Sequence, residues 1–526
     1  MSSLAKQKTV EEIHFERKKL KREITLLPLF GMIYFTVCGG AFGSEAIVGW
    51  SGPGMALILL VITPLLFSIP NMLMVREMSS MMPAEGGYYH WVKQGLGPFW
   101  GFLTGWMNLV VSWVDVSIYP VLATYYLGYF FPILREGALF GNMHLSGDLI
   151  SWIVALILIW LLTLLQIRVA RLTALTTDWL GVVMLLPLVV MSIFGIINWI
   201  SSGTTIHLPL LPKGESFFGA FSVGLFVAMW NFMGWELPTS AGDEIVNPRR
   251  TYPLAMTLTL IAAIATYAIP MVSGLYGGAG DGGRFQLWGI EESQAGEGIG
   301  SVLADYGVSE TQLSDWGVDS SSSIGWEFPE IAHQIGARFV GNDNDGSVAK
   351  FLGVIVTFSA IFSMTGLFIG NSLSASRVPF AMAADGMMPK FLVTVHPKYG
   401  TPITAIIIAS IMFSLLSLST FAFLVVVDVF LNMMALVLQF LALWACRFKV
   451  PDHPREKIPG GWLGLILATL APFFIIGLAI VSQVAEEGFN SLWFAFVAIG
   501  IGSILYFLAK KIIKPGIPDI DPFLLP

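Results

Sequence analysis

Twelve apolar runs, near residues 26–50, 54–76, 99–130, 148–166, 173–200, 217–241, 253–276, 348–376, 401–418, 420–446, 461–482 and 491–509, take up most of this 526-residue chain. Most have about the 20 residues that a helix needs to cross a hydrocarbon core about 30 Å thick. Hydrocarbon offers the backbone no partner, so each span has to satisfy its own N–H and C=O groups, which a helix does within one segment. The runs therefore predict an all-α integral membrane protein of about twelve transmembrane helices. A mean hydropathy of +0.74 and a charged fraction of 12% agree, since soluble domains carry about a quarter of charged residues.

The charged residues fix the expected orientation. With the N-terminus inside, the outer segments hold only Arg135, Lys213, Arg284, Arg338 and Lys350 of the 28 Lys and Arg. That bias predicts both termini in the cytoplasm and the chain in the cell membrane. Residues 1–24, with Glu11, Glu12, Arg17, Lys18, Lys19, Lys21 and Arg22, read as a cytoplasmic tail without the apolar core of a signal peptide. Residues 511–526 form a second tail. Cys38 and Cys446 lie too far apart along the spans to suggest a disulfide. Glu85 to Lys93 mixes aromatics with charge, as an interfacial helix on the inner face would. The third run is long enough to be strongly tilted.

Residues 277–347 form the longest segment outside the spans and carry twelve Asp and Glu against Arg284 and Arg338. A run of this sign serves solubility or gathers cations at an outer mouth. Within it, 298–308 and 326–340 have helical patterns suited to an outer lid.

Two spans are interrupted in the same way. The first contains Gly39-Gly40-Ala41-Phe42-Gly43-Ser44-Glu45 and the sixth Trp230-Asn231-Phe232-Met233-Gly234-Trp235-Glu236, each ending in Gly-x-Glu. Glycines and a carboxylate inside an apolar helix give up backbone hydrogen bonds and bury charge, which hydrocarbon tolerates only beside protein or a polar cavity. Interruptions at corresponding places in two halves of a chain point to a carrier with its solute held at mid-membrane. N–H groups freed at Cys38, Gly39, Gly40 and Gly43 would receive a carboxylate. Carbonyls freed from Trp230 through Gly234 would receive an ammonium group.

Four carboxylates lie within spans: Glu45, Asp115, Glu236 and Asp428. Each costs about 2.5–3.5 kcal/mol at the membrane centre and so requires a partner, a proton or a water-filled path. Asp115 joins the expected binding residues. Glu236 first, and Glu45 second, are the expected proton-coupling groups; capping or an outer interface is the alternative for Glu45. Asp428 faces either the cavity or a loop end. Trp230 and Trp235 flank the sixth break as expected gates. All seven histidines fall outside the spans, which argues against a histidine relay, and no metal-ligand spacing appears. The expected coupling ion is H+; Na+, for which Ser359, Ser363 and Thr365 would supply hydroxyls, is the alternative. No other cofactor is expected. The partners expected are a small-molecule solute and the lipid bilayer, with no nucleic acid. The sequence sets no oligomeric state.

At these residues the chain resembles the amino acid–polyamine–organocation superfamily, most closely its polyamine:proton symporter-like branch. The resemblance runs through the first break, then Asp115-Val116-Ser117-Ile118-Tyr119-Pro120-Val121-Leu122, Ala241-Gly242-Asp243-Glu244 with Asn247-Pro248, and Asp385-Gly386-Met387-Met388-Pro389 with Tyr399-Gly400-Thr401-Pro402. Phe430-Leu431-Asn432 and Lys457-Ile458-Pro459-Gly460-Gly461 complete the series. The resemblance implies a leucine-transporter-type five-plus-five inverted repeat, with residues 25–200 as the first repeat, 217–446 as the second, and 461–510 as two added spans. It also implies substrate gating and proton response at Trp230 and Glu236. Two departures stand out: Ile369, Gly370 and Asn371 where polyamine-type members carry acids in the eighth span, and Gln439 where they carry Glu in the tenth. Fewer anionic contacts favour an amino acid over a polycation. Some proton-coupled relatives use a lysine in the fifth span; residues 173–200 contain none.

The resulting expectation is a proton-coupled importer of amino acids, not an enzyme. Polyamine or cationic amino acid uptake or exchange is the alternative, and a non-transporting amino acid receptor is the alternative of another class.

Overall fold

A computed structural model describes residues 25–82, 87–140, 143–168, 177–203, 209–211, 216–235, 245–246, 248–289, 298–305, 307–322, 324–341, 346–384, 388–394 and 401–512. Among these, nine helices are long and apolar enough to cross a membrane: Pro53–Met81, Pro98–Leu127, Gly147–Arg168, Val183–Ser202, Arg250–Ala279, Ser347–Ser372, Phe421–Lys449, Gly461–Ala485 and Trp493–Lys511. Shorter apolar helices at Leu26–Val37, Phe217–Asn231 and Ile403–Leu416 stand at the first, sixth and ninth runs. Every one of the twelve runs thus contains a helix, as hydrocarbon demands of an unpaired backbone.

Enclosure sorts these helices. The apolar windows of the third and tenth spans are 78% and 72% buried, whereas that of the twelfth is 17% buried. The third and tenth can therefore carry polar side chains inward, while the twelfth keeps apolar side chains outward for lipid. Small residues let backbones meet: a Cβ on Gly224 would lie 1.7 Å from Ser51 Oγ, and one on Gly95 would lie 2.7 Å from Ala442 Cα. Such contacts replace the hydrophobic driving force that lipid removes. Pro64 opens a π-helical turn, Pro64–Ser68, in the second span, because proline lacks the N–H that the α-helix would use.

The segment expected as an interfacial helix is helical at Gly87–Leu96. The loop after the seventh span contains Ile299–Asp305 and Phe328–Phe339, as the pattern predicts, and also Glu310–Asp315, started by a Ser309–Gln312 capping box. One feature departs from the all-α expectation. Ala138–Phe140 pairs antiparallel with Met143–Leu145, Ala138 opposite Leu145, in the connection after the third span.

The long loop does not stand away from the bundle. Gly289 N–H donates to Trp326 O (2.8 Å), Trp326 N–H donates to Leu287 O (2.6 Å), and a Cβ on Gly289 would lie 2.3 Å from Ala46 Cα. The loop therefore packs on the second half of the first span, and Phe328–Phe339 lies against the eighth span.

Candidate functional site

The first span breaks where its glycines are. Helix Leu26–Val37 ends, Cys38 is extended, and helix resumes at Glu45–Ser51. Gly40 (φ 103°) and Gly43 (φ 84°) take left-handed conformations that cost other residues about 1–2 kcal/mol. In the sixth span the helix stops at Asn231 and residues 232–235 leave it, with Gly234 at φ 93°.

Most of the backbone groups released have partners. Tyr267 Oη donates to Asn231 O (2.9 Å) and reaches Val37 O (3.5 Å), so one phenol fastens both breaks. Phe232 O accepts from Trp235 Nε1 (2.8 Å) and Ser68 Oγ (3.3 Å). Gly43 N–H donates to Tyr126 Oη (2.8 Å), and Ser363 Oγ donates to Gly39 O. The N–H groups of Gly39 and Gly40 meet no acceptor among the described residues.

Between the two breaks lies a cavity of about 90 Å³. Gly39, Gly40, Trp230, Asn231, Met233 and Gly234 line it from the breaks; Asn108, Asp115 and Tyr119 from the third span; Asn371 from the eighth; and Asp428 and Asn432 from the tenth. Asp115 accepts from Tyr119 Oη (2.7 Å) and Trp230 Nε1 (3.2 Å), and Asn371 Nδ2 donates to Tyr119 Oη (2.9 Å). Among the described residues its lining includes two carboxylates and no Lys, Arg or His. A cavity of this polarity favours a cation.

The expected site residues divide. Asp115, Gly39, Gly40, Trp230, Asn231, Met233 and Gly234 come together on the wall. Cys38, Gly43 and Phe232 lie behind it: Cys38 and Phe232 are fully buried, and Gly43 is pressed between Trp230, Leu122 and Phe421. Trp235, expected as a second gate, is fully enclosed, and its indole N–H donates to Phe232 O. Glu45 points away from the cavity, where its carboxylate accepts from Tyr126 Oη (2.9 Å). Glu236 lies outside the described residues. Ser359 and Ser363 already donate to the carbonyls of Met184 and Gly39.

Of the two orientations open to Asp428, the structure takes the one toward the cavity. Tyr267, Asn108, Asn371 and Asn432 were not singled out as site residues from sequence. Their only signal was polarity within an apolar run, which many helix–helix contacts share.

Among the described residues, a helix stands in each of the twelve apolar runs and two broken helices flank a polar central cavity, the build of a multi-pass membrane carrier. The chain belongs to the amino acid permease family, whose sequence profile matches residues 24–286 and 331–504. It is 28% identical to the polyamine transporter PUT1 of Oryza sativa subsp. japonica, across 95% of this chain and 82% of that protein. It is likewise 28% identical to the polyamine transporter RMV1 of Arabidopsis thaliana (94% and 87%) and 23% identical to the serine/threonine exchanger SteT of Bacillus subtilis (95% and 99%). The protein is a transporter of a small molecule.

Proposed function

We propose that the protein carries a cationic amine, a polyamine or a basic amino acid, through the central cavity by alternating access. One observation carries this reading: Asp115 and Asp428 both line a cavity to which, among the described residues, no basic side chain contributes. The sequence favours an amino acid because the eighth span and Gln439 lack the expected acids. Asp428, about three turns before Gln439 in the same span, supplies a second carboxylate instead. The carbonyls of the sixth break are less available than expected, since Asn231 O and Phe232 O already accept hydrogen bonds. Carboxylates are thus the better ammonium receptors here.

In the proposed cycle the termini are cytoplasmic, the solute enters from the side of residues 277–347, Trp230 adjusts over it, and the two repeats rock to open inward. A proton gradient drives uptake, with Glu236 as the coupling group. Ligand and proton must bind one form better than the other for either gradient to drive the other.

A neutral amino acid is the second reading. It is favoured by the free N–H groups of Gly39 and Gly40, which would hold a carboxylate, and by the name of the Bacillus relative. Competition against labelled spermidine bound to the purified protein separates the two. Putrescine and arginine are expected to displace it and serine is not; displacement by serine alone would overturn the cationic reading. Uptake into proteoliposomes, with pH or Na+ gradients imposed singly, tests the coupling ion. Binding without accumulation would mean a receptor.

A further inference from the structure

A second acidic site lies above the cavity, on the loop-bearing face. Glu45 begins the second half of the first span and is fully buried. One oxygen accepts from Tyr126 Oη (2.9 Å) and lies 3.4 Å from Phe328 N; the other, Oε2, has no donor. Glu327, the residue before Phe328, caps helix Phe328–Phe339 and is 3% exposed, so its buried carboxyl is a neighbour of this one.

Two buried carboxylates side by side repel each other, which favours one proton held between them. Among the described residues the cation that acts on Glu327 is Arg135. It is bound to Glu330 (2.9 Å) and to Tyr125 O (2.9 Å). Tyr126 already directs its hydroxyl proton to Glu45, and His333, on the same lid helix, bonds Tyr129 Oη (2.9 Å). Among the described residues, these are the titratable and charged groups around the pair. Burial, and then the charge of Glu45, push the Glu327 carboxyl well above the usual carboxylate range, against the pull of Arg135. The pair rests on the cavity's roof: Phe42 lines the cavity, and its ring meets those of Tyr126 (5.3 Å) and Phe328 (6.1 Å). Glu327 also falls in the stretch 287–330 that the family profile leaves unmatched.

We propose that Glu45 and Glu327 form a one-proton latch that holds the helix Phe328–Phe339 shut over the cavity and releases it when the proton leaves. With one proton, a carboxylic acid donates to a carboxylate and the roof is closed. Without it, two negative charges face each other in a dry contact, and the helix lifts. The closed form holds the extra proton, so acid favours closure and rising pH favours opening. The proton enters and leaves from the side of the lid, which makes the latch a sensor of pH on that side and distinct from the coupling proton. This inference rests on the proposed reading only in taking that side as outer and the cavity as the solute's.

The test needs neither substrate nor sidedness. In nanodiscs, spin labels are placed on a background lacking native thiols (Cys38→Ala, Cys446→Ala). One goes at Val340→Cys, beyond the lid helix, and the other at Leu210→Cys, beside the second span. Electron–electron distances are then measured between about pH 5 and pH 9, a window wide enough for a raised carboxyl pair. A one-proton event changes the open-to-closed ratio by up to about tenfold per pH unit. The wild-type pair is expected to move from a single short distance to a growing long one as pH rises. Glu327→Gln and Glu45→Gln, whose amide donates at every pH, are expected to keep the short distance throughout. A pH-independent wild-type distribution overturns the latch, as does a Gln variant that follows the wild-type profile. If neither variant folds, the wild-type profile alone decides.

Discussion

Asp115→Asn isolates the charge that the proposed function depends on. Asparagine has nearly the same volume and keeps one oxygen to accept from Trp230 Nε1, while its NH2 replaces the oxygen that accepts from Tyr119 Oη, so the variant loses the negative charge and that one hydrogen bond. An ammonium group about 4 Å from that charge gains about 4 kcal/mol at an effective dielectric constant near 20. Part of this offsets the desolvation of both ions, and hydrogen bonds to charged groups are worth about 1.5–3 kcal/mol net. A net loss of about 2–3 kcal/mol corresponds to affinity weakened by about 30- to 150-fold. Equilibrium binding of labelled spermidine to the purified variant measures this directly. Asp428→Asn refines it, because a polyamine can engage both carboxylates whereas serine, with one ammonium group, can engage only one. Both substitutions should therefore weaken spermidine, and at most one should weaken serine. If Asp115→Asn unfolds at the wild-type temperature and loses less than about threefold in spermidine affinity, the carboxylate does not meet the ligand's charge and the reasoning fails.

Arg447→Met should destabilise the protein by about 3 kcal/mol or more, because fully buried Glu77 keeps, among the described residues, only Arg455 and the Ile458 N–H as partners. A thermal unfolding midpoint equal to wild type would count against that ion cluster. Gly43→Ala forces a side chain into φ 84° and sets a Cβ 3.0 Å from the Trp230 ring, so about 1–2 kcal/mol of strain should appear as lower stability. An unchanged melting curve would argue against the strain. Tyr267→Phe removes the hydroxyl that joins Val37 O and Asn231 O, at about 1 kcal/mol; uptake at the wild-type rate would show that the two breaks need no such tie.

Much of the plan was legible along the chain. Apolar length alone predicts twelve spans, since hydropathy measures how much of a segment avoids water. The breaks were legible because the same Gly-x-Glu ending recurs inside two apolar runs, and left-handed Gly40, Gly43 and Gly234 stand where the pattern put them. Less visible was the direction of each polar group. Glu45 and Asp115 look alike as carboxylates within spans, yet one turns to Tyr126 and the lid while the other turns to the cavity. Hydropathy averages over a helix's circumference and carries no information about its rotation. Trp230 and Trp235, five residues apart, likewise differ only in what surrounds them.

Residues 277–347 show the same division. Their charge run reads as solvated surface, and helical patterns are visible in it, but the burial of Glu327 against Glu45 joins positions nearly three hundred residues apart. By itself the sequence determined that the backbone crosses a membrane many times and where two spans give up their helix, because both follow from local chemistry in hydrocarbon. The tertiary structure alone decided which carboxylates share the cavity and which pair beneath the lid, because that depends on how helices turn and what packs against them.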